Sequence, residues 1–326
     1  MVKPEIAVFL HVGHHSRRCL NLWELTEESI LRALRRRIAI PRGSWIVAGI
    51  GDDCAVFRPP TGKQDLLFTT DLLIEGVHFE RVTHAPAIVG RKALARGLSD
   101  IAAMGGDPLF CLLSLGLPPW ADSRWTARFY DGLLQLAKAV GVVLAGGDLA
   151  RTDRVVCDIV VSGSVPKGQA LRRDGARPGN AIYVSGKLGG SALGLTTKKG
   201  RAWQRHLRPE PRLALGRYLR EKLHATATMD LSDGLSLDLR RLCLASHVSA
   251  EIETPPVFPD ATLEQALHGG EDYELLFTVR PDTRVPARFE NLPLTRIGVI
   301  RRGQAGRVLF DGRPLKPLGY DHFRHS

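Results

Sequence analysis

The chain has 326 residues, of which 44% are hydrophobic and 24% are charged, a balance typical of a globular protein with room for two domains. No apolar run approaches the roughly 20 residues that a membrane-spanning helix requires. The opening MVKPEIAVFLHVGHHSRR does not resemble a signal peptide. We therefore expect a cytoplasmic protein with no membrane partner.

The formal net charge is +11, but the basic residues are scattered apart from one short run, 35–37. A solvated basic surface, which can also attract phosphorylated substrates, is therefore favoured over a nucleic-acid-binding surface. The five cysteines include no Cys-x-x-Cys pair, so neither a disulfide framework nor a zinc site is indicated. Cys54 lies beside two carboxylates, which raise the pKa of a thiol, and is expected to pack in the core rather than act as a nucleophile.

Residues 1–22 show no periodicity and are predicted to be an N-terminal extension, ordered or disordered. Apolar residues at helical spacing predict helices from Thr26, over 87–104, over 123–140, over 212–223 and after Asp233. A glycine-rich turn, GKLGGSALGL, leads into a further helix. The predicted strands are, in chain order, WIVAGI, QDLLFTTDLLI, LFCLLSLGLP, VVLAGGD, VVCDIVVSGSVP, AIYVS, ELLFTV, LTRIGVI and RVLFDG.

Helices and strands are mixed in both halves of the chain, which predicts an α/β or α+β fold. Glycine and proline become frequent in VPKGQALRRDGARPGN, near Pro166. This change in composition predicts a boundary between an N-terminal domain, 23–165, and a C-terminal domain, 166–326. Each domain is long enough to bury its own core.

Aspartates recur where glycine, serine or threonine meets the end of an apolar run. In GIGDDCAVF, Asp52 and Asp53 follow a glycine-flanked turn, and no Lys or Arg lies between this pair and Arg58. Adjacent carboxylates repel each other, so the pair indicates either a solvated turn or a cation site. The recurrence favours a cation, and oxygen ligands without Cys or paired His favour Mg²⁺, which commonly bridges to substrate phosphates. The further clusters are TTDLLIEGVHF with Asp71, LSDIAAMGGDP with Asp100, AGGDLART with Asp148, and MDLSDGLSLDL with Asp230 and Asp233.

Local context strengthens two of these candidates. Asp100 is expected near the C-terminal end of a helix, where the helix dipole disfavours a carboxylate unless it binds a cation. Gly147, just before Asp148, lets a phosphate approach the backbone closely. Neither familiar nucleotide motif is present, because GKLGGSALGL lacks the order of a P-loop and GIGDDC lacks the third glycine of a dinucleotide fingerprint.

Several neighbouring residues have two interpretations. Thr69 and Thr70 can complete a metal shell or cap a turn, and Ser232 or Asp233 can bind a ligand or cap the following helix. For His78, a place in the core is the default interpretation. The sequence leaves these alternatives open.

The order and spacing of seven motifs resemble those of the thiamine-monophosphate kinase family, in the aminoimidazole ribonucleotide synthetase-like superfamily: GIGDDCAVF, TTDLLIEGVHF, LSDIAAMGGDP, AGGDLART, DLSDGLSLDL, GGEDYELLF and GYDHF. The resemblance extends from about Leu25 to Phe323. It implies the two-domain fold of that superfamily, with an N-terminal domain that pairs in a homodimer, a C-terminal α/β domain, and ATP in the cleft between them. It also implies direct transfer of the γ-phosphoryl group of ATP to thiamine monophosphate, giving thiamine diphosphate. Several Mg²⁺ ions would assist, with no covalent intermediate.

Carried over by position, the resemblance implies three groups of site residues. The metal-binding group is Asp53, Thr69, Thr70, Asp71, Asp100, Asp148, Asp230 and Asp233, with Asp52 as the alternative to Asp53. The ATP-binding group is Gly147, Asp148, Arg173, Ser232 and Tyr130. The substrate-binding group is His78, Glu271 and Tyr320. A cationic thiazolium favours a carboxylate and an aromatic face, which suits the last two.

Two other classes of protein compete with this interpretation. A different ATP-dependent enzyme of the superfamily would differ in its motifs. A selenophosphate synthetase would carry a reactive Cys or selenocysteine with a lysine in a glycine-rich N-terminal segment, and a purine-synthesis ligase would lack GGEDYELLF. A basic nucleic-acid-binding module would leave the aspartate clusters unexplained, because carboxylates repel phosphate unless a metal lies between them.

Overall fold

The computed structural model describes residues 26–323 apart from 39 and 42, so the predicted extension, 1–22, lies outside the described residues. Helices and two separate sheets make up this part of the chain, and the prediction of a mixed α/β fold is confirmed. The last strand of the first sheet ends at Pro166, and the first strand of the second begins at Ala181. The domain limits themselves stay a prediction.

The N-terminal half forms the first sheet and the helices that pack on it. Its elements are α1 (Glu27–Arg37), β1 (Ile46–Ala48), β2 (Ala55–Phe57), β3 (Gln64–Ile74), α2 (Pro86–Ala103), β4 (Asp107–Leu117), α3 (Ser123–Val140), β5 (Val143–Arg151) and β6 (Val156–Pro166). The six strands lie in the order β1-β2-β3-β6-β4-β5. All neighbours are antiparallel except β4 and β5. The helices and strands predicted here are confirmed, whereas β2, only three residues long, was not predicted.

Local sequence signals fix the ends of α1. Thr26 caps the helix, because its hydroxyl accepts the Ser29 N–H while the Ser29 hydroxyl accepts the Thr26 N–H. Acidic residues occupy the first turn and arginines the last, which favours both ends of the helix dipole. The predicted helix from Thr26 is therefore confirmed.

Helix α2 is the central element of this half. Thirteen of its 18 residues are buried, since it packs on β3 and β6 and also against α3. Two glycines make the contact with α3 close: a Cβ at Gly90 would lie 1.9 Å from the Phe129 carbonyl oxygen, and one at Gly132 would lie 1.8 Å from the Ala87 carbonyl oxygen. A helix buried on nearly every side must supply partners for any polar side chain that it carries. Those partners define the site described below.

The sheet face opposite α2 is open. Leu72 on β3 and Leu112 on β4 lie on this face and are 45% and 37% exposed. Strand β5, at the edge, is exposed along almost its whole length, and its Asp148, in register with Ser114, Asp158 and Leu72, lies on this same face. Contiguous exposed apolar side chains on one face of a sheet are typical of an interaction surface.

The C-terminal half contains the second sheet. Its elements are β7 (Ala181–Ser185), α4 (Gly190–Thr197), α5 (Gly200–Leu207), α6 (Leu213–Tyr218), β8 (Ala227–Asp230), α7 (Leu235–Ala245), β9 (Ser249–Ile252), α8 (Leu263–His268), β10 (Leu275–Val279), β11 (Arg288–Phe289), β12 (Leu292–Arg301), β13 (Val308–Phe310) and β14 (Arg313–Pro314). The main strand order is β14-β13-β9-β12-β7-β10-β8, with β11 on β12. The helix predicted over 212–223 is shorter, because α6 gives way to a π-helical turn over 219–223.

Short elements account for most of what the sequence missed in this half. Helices α5 and α8 and strand β9 have between four and eight residues, too few to show a clear period. None of the helices between residues 26 and 323 combines the length and the apolar character that spanning a bilayer requires.

Candidate active site

Both halves of the chain contribute to one cavity of about 340 Å³. Polar residues reach it from β3, from α2, from the loop between β8 and α7, from the segment before β10 and from the C-terminal tail. The polar and aromatic residues that line it are Glu27, Thr70, Asp71, His78, Arg96, Asp100, Ser191, His206, Asp230, Ser232, Asp233, Glu271, Tyr273, Tyr320 and His322.

A cluster of three carboxylates adjoins the cavity. Asp53 from the loop before β2, Asp100 from α2 and Asp230 from the end of β8 each place a carboxylate oxygen within 4.8 Å of the other two. Burial raises the pKa of Asp100 and of Asp230 well above the usual range, and the charges of the neighbouring carboxylates raise it further. Hydroxyl donors partly offset this, since Thr69 donates to Asp100 at 2.5 Å and Ser99 donates to Asp230 at 2.7 Å.

One guanidinium faces this cluster. Arg173 donates to both carboxylate oxygens of Asp53, from Nη2 at 2.6 Å and from Nε at 3.1 Å. Its backbone N–H donates to Asp52, 3.2 Å away. Burial and the charge of Asp53 raise the pKa of Asp52 to about 7. The expectation that the acidic pair has no basic neighbour is therefore wrong, because Arg173 reaches it from 120 residues further along the chain.

The donor set of this cluster fits Mg²⁺. It offers only oxygen ligands, and three carboxylates face a single guanidinium, so full ionisation leaves an excess of negative charge. Burial, and after it the charge of the neighbouring carboxylates, raises the pKa of Asp100 and Asp230. A hard divalent cation with a few carboxylate ligands and several waters would neutralise it.

Helix α2 carries a row of charged side chains at intervals of four residues, which places them on one face, and two of them, Arg96 and Asp100, line the cavity. Lys92 Nζ lies 2.9 Å from the Glu271 carboxylate, and Arg96 Nη2 lies 2.6 Å from the Asp71 carboxylate. Asp100, one turn further on, belongs to the carboxylate cluster. Sequence reasoning missed Lys92 and Arg96, although charged residues at helical spacing in an apolar segment were a usable signal.

Glu271 pairs with Lys92, at the end of this row furthest from the carboxylate cluster. Its backbone φ of +63° lies in the left-handed region, and its side chain lines the cavity. Burial alone would raise the pKa of Glu271, but Lys92 and the neighbouring basic groups outweigh it and bring the pKa to about 2. His206 Nδ1 lies 3.3 Å from the same carboxylate, and burial lowers the pKa of this histidine to about 4. Glu271 is therefore ionised and held from two sides.

Two acidic residues that follow Glu271 anchor the segment that carries it. The carboxylate of Asp272 accepts the backbone N–H groups of Gly189 and Ser191, at the start of α4, at 2.6 and 3.1 Å. Glu274 accepts from Ser185 at 2.5 Å and from Arg212 at 2.6 Å. The segment thus alternates between side chains that face the cavity and side chains bound within the C-terminal half.

His78 and Tyr320 also line the cavity, so the default interpretation of His78 as a core residue is wrong. The His78 Nδ1 atom accepts the Ile74 N–H at 3.0 Å, and burial lowers the pKa of His78 to about 3. Its ring lies 5.0 Å from that of His322, which in turn lies 4.8 Å from the Tyr320 ring. These rings form an aromatic wall.

Asp233 ties both ends of the described chain to the mouth of the cavity. Its carboxylate pairs with Arg241, which also lies 3.0 Å from Glu27 of α1. The Asp233 carbonyl accepts the Tyr320 N–H at 2.9 Å. No side chain caps α7, so the capping interpretation of Asp233 and its neighbour Ser232 is wrong. Instead Asp238 accepts the Asp233 N–H at 3.0 Å.

Three of the implied site residues lie away from the cavity of their own chain. Gly147 and Asp148 are on the exposed edge strand β5. Asp148 shares a row of paired residues with Ser114, Asp158 and Leu72, three strand spacings in all, or roughly 14 Å from Leu72 on β3. Tyr130, on α3, packs its ring 5.6 Å from that of Phe129.

Comparison with known proteins adds a second kind of information. The family models for AIR synthase related proteins match in two parts, the N-terminal domain over residues 51–165 and the C-terminal domain over residues 177–311. Thiamine-monophosphate kinase from Escherichia coli K12 is 40% identical over 303 residues, 84% of this chain and 91% of the relative. The enzyme of the same name from Bacillus subtilis is 37% identical over 312 residues, 86% of this chain and 95% of the relative.

Solved structures agree with the sequence relatives. A structure described as AaThiL complexed with AMPPCP and TMP is 32% identical, with a TM-score of 0.80, and the match covers 93% of this chain and 99% of that one. The hydrogenase maturation protein HypE in complex with ATP has a TM-score of 0.64 at 17% identity, which shows a shared fold alone.

Proposed function

Since this chain belongs to the thiamine-monophosphate kinase family and is an enzyme, we propose that it transfers the γ-phosphoryl group of ATP to thiamine monophosphate. The products are thiamine diphosphate and ADP. The observation that carries the proposal is the convergence of Asp53, Asp100 and Asp230, from both halves of the chain, beside a cavity with room for a ligand. The reacting groups of both substrates are negatively charged phosphates, so such a site needs bound cations to bring them together.

Asp53, Asp100 and Asp230 would hold Mg²⁺ at the cluster, and Asp71 and Asp233 would add ligands at the cavity wall. Bound there, the ions would neutralise charge on the transferring phosphoryl group. The Thr69 hydroxyl would orient Asp100, as it already does, and Thr70, whose hydroxyl donates to Asp158 at 2.6 Å, would supply an oxygen at the cavity wall. The number of ions stays open.

Side chains of this chain would hold the two substrates in position for the transfer. Arg173, fixed beside Asp53, would contact the phosphates of ATP together with Ser232. His78, Glu271 and Tyr320 would hold the organic part of the acceptor at the other end of the cavity. A phosphate acceptor is already ionised at neutral pH, so the site requires no general base, and the attacking oxygen displaces ADP in line.

The burial of Cys54 also agrees with direct phosphoryl transfer. Cys54, next to the acidic pair, is buried, and burial together with the charge of Asp100 raises its pKa well above the usual range. A thiol in this state is a poor nucleophile. We therefore propose no covalent enzyme intermediate.

A homodimer would complete the site. The open face of the first sheet exposes Leu72 and Leu112, and a second copy packed there would remove both from water. A homodimer would also explain the position of Asp148, which lies outside the cavity of its own chain. We propose that Asp148 of the partner subunit, with the adjacent glycine, serves the site. The cytoplasm, where ATP is available, stays the predicted location.

The test is to incubate the protein with ATP, MgCl₂ and thiamine monophosphate, with an EDTA control, and to separate the thiamine phosphates by chromatography. We expect thiamine diphosphate only when Mg²⁺ is present. ADP without thiamine diphosphate would indicate a different acceptor and favour another activity of the same superfamily. The absence of both products from folded protein would refute the proposed function.

A further inference from the structure

Arg96 has a hydrogen-bond donor with no partner in the described part of the chain. Its Nε atom donates to one carboxylate oxygen of Asp71 at 3.1 Å, and its Nη2 atom lies 2.6 Å from the other. Its Nη1 atom is buried and makes no hydrogen bond there, although the side chain lines the cavity. A buried N–H group without an acceptor is costly, and such groups at a cavity wall commonly face a ligand.

The position of Arg96 on α2 indicates which part of a ligand it would meet. It lies four residues, about 6 Å along the helix, from Asp100 of the carboxylate cluster, and the same distance from Lys92, the partner of Glu271. An acceptor with its organic part at Glu271 and its reacting end at the cluster must pass Arg96 in between. The group that lies there is the phosphate.

The chemistry of the guanidinium fits that role. Asp71 fixes the plane of the guanidinium by pairing with its Nε and Nη2 edge, which leaves Nη1 without an acceptor among the described residues. Side-chain exposure of only 12% shields this charge from water and strengthens its interaction with phosphate. Neither the aspartate motifs nor the implied site residues include Arg96.

We propose that Arg96 binds the phosphate group of thiamine monophosphate through Nη1, while Asp71 holds the guanidinium in place. This inference rests on the proposed function, because it takes thiamine monophosphate as the acceptor. Arg96 is then a substrate-binding residue that distinguishes a phosphorylated acceptor from its unphosphorylated form.

Isothermal titration calorimetry without ATP tests the inference directly, with thiamine monophosphate and thiamine as the two ligands and MgCl₂ present. Replacing Arg96 by Met should weaken binding of thiamine monophosphate by about 10- to 100-fold and leave thiamine binding unchanged. Arg96→Lys keeps a cation beside Asp71 but has no counterpart of Nη1. It should therefore fold and show a smaller loss of affinity for thiamine monophosphate. Arg91→Met is the matched control, because Arg91 lies on the same helix and donates to the Pro209 carbonyl.

The kinetic counterpart is a higher KM for thiamine monophosphate with an unchanged KM for ATP. A folded Arg96→Lys variant that binds both ligands like the wild type, or weakens both equally, would overturn the role of Arg96 and leave the proposed function intact. If the wild type binds neither ligand and makes no thiamine diphosphate, the proposed function itself fails, and the inference with it. Circular dichroism and thermal melting establish that each variant is folded.

Discussion

Replacing Asp100 by Asn should make the protein more stable in EDTA while abolishing its activity. Asp100 faces Asp53 and Asp230 across no more than 4.8 Å, and one guanidinium serves the whole cluster. Asn has the same size, and its amide oxygen can still accept the Thr69 hydroxyl that Asp100 accepts now. The substitution therefore removes a charge and keeps the packing.

The size of the effect follows from the separation of the charges. At 4.8 Å and an effective dielectric constant of about 20, two ionised carboxylates repel each other by about 3.5 kcal/mol. The cluster relieves part of this by binding a proton, as the raised pKa of Asp100 and Asp230 indicates. We expect a net gain of about 2 kcal/mol at pH 8, or about 4 °C in Tm.

Thermal melting in EDTA and in MgCl₂ measures the change in stability, and the thiamine diphosphate assay measures the loss of activity. The wild type should gain stability on addition of Mg²⁺, whereas the Asp100→Asn variant should start higher and gain little. Asp131→Asn, an exposed substitution on α3, is the control for a generic loss of negative charge. A variant that melts below the wild type in EDTA, or a wild type that does not respond to Mg²⁺, would refute the assignment of a cation site to this cluster.

Three further predictions concern the rest of the site. Replacing Lys92 by Met leaves Glu271 buried without its cation and should lower stability by about 3 kcal/mol, and adding Glu271→Gln should restore most of it in a double-mutant cycle measured by denaturation. Since the pKa of His206 is about 4 in the folded chain and about 6.5 in the unfolded chain, its contribution to stability is present above pH 6.5 and is lost as the pH falls towards 4. Melting curves across this range should therefore decline less in His206→Asn, and an equal decline would count against a buried neutral ring. Asp53→Asn and Asp148→Asn homodimers should each be folded and inactive. Unfolding and refolding them together should restore about a quarter of the wild-type rate if each site uses both subunits, because half of the dimers are mixed and one site in each mixed dimer is intact. No recovery would place both residues in one subunit.

The sequence was sufficient where the determining interactions are local. The capping residue Thr26, with acids and bases at opposite ends of α1, marks that helix within the chain itself. The long strands β3 and β6 are continuous enough to be recognised by composition. Asp100 and Asp230 stood out because each adjoins small residues at the end of an apolar segment.

The contacts that the sequence did not reveal join residues far apart in the chain. Arg173 and Asp53 are 120 residues apart, and Lys92 and Glu271 are 179 apart, so no local pattern connects them. Capping of α7 by Ser232 or Asp233, an alternative that the sequence left open, is not observed, because the Asp233 carboxylate pairs with Arg241 instead.

The distribution of charge along the cavity explains why a metal is needed at one end and not at the other. At the end where the acceptor would bind, Glu271 has its own base, Lys92. At the carboxylate cluster, Asp100 and Asp230 have hydroxyl donors as their hydrogen-bond partners, and the nearby guanidinium is bound to another carboxylate. The chain thus neutralises the acceptor end with its own residues and leaves the cluster with excess negative charge. A cation that arrives with the phosphates of ATP would remove this excess, so nucleotide binding and completion of the site would be one event.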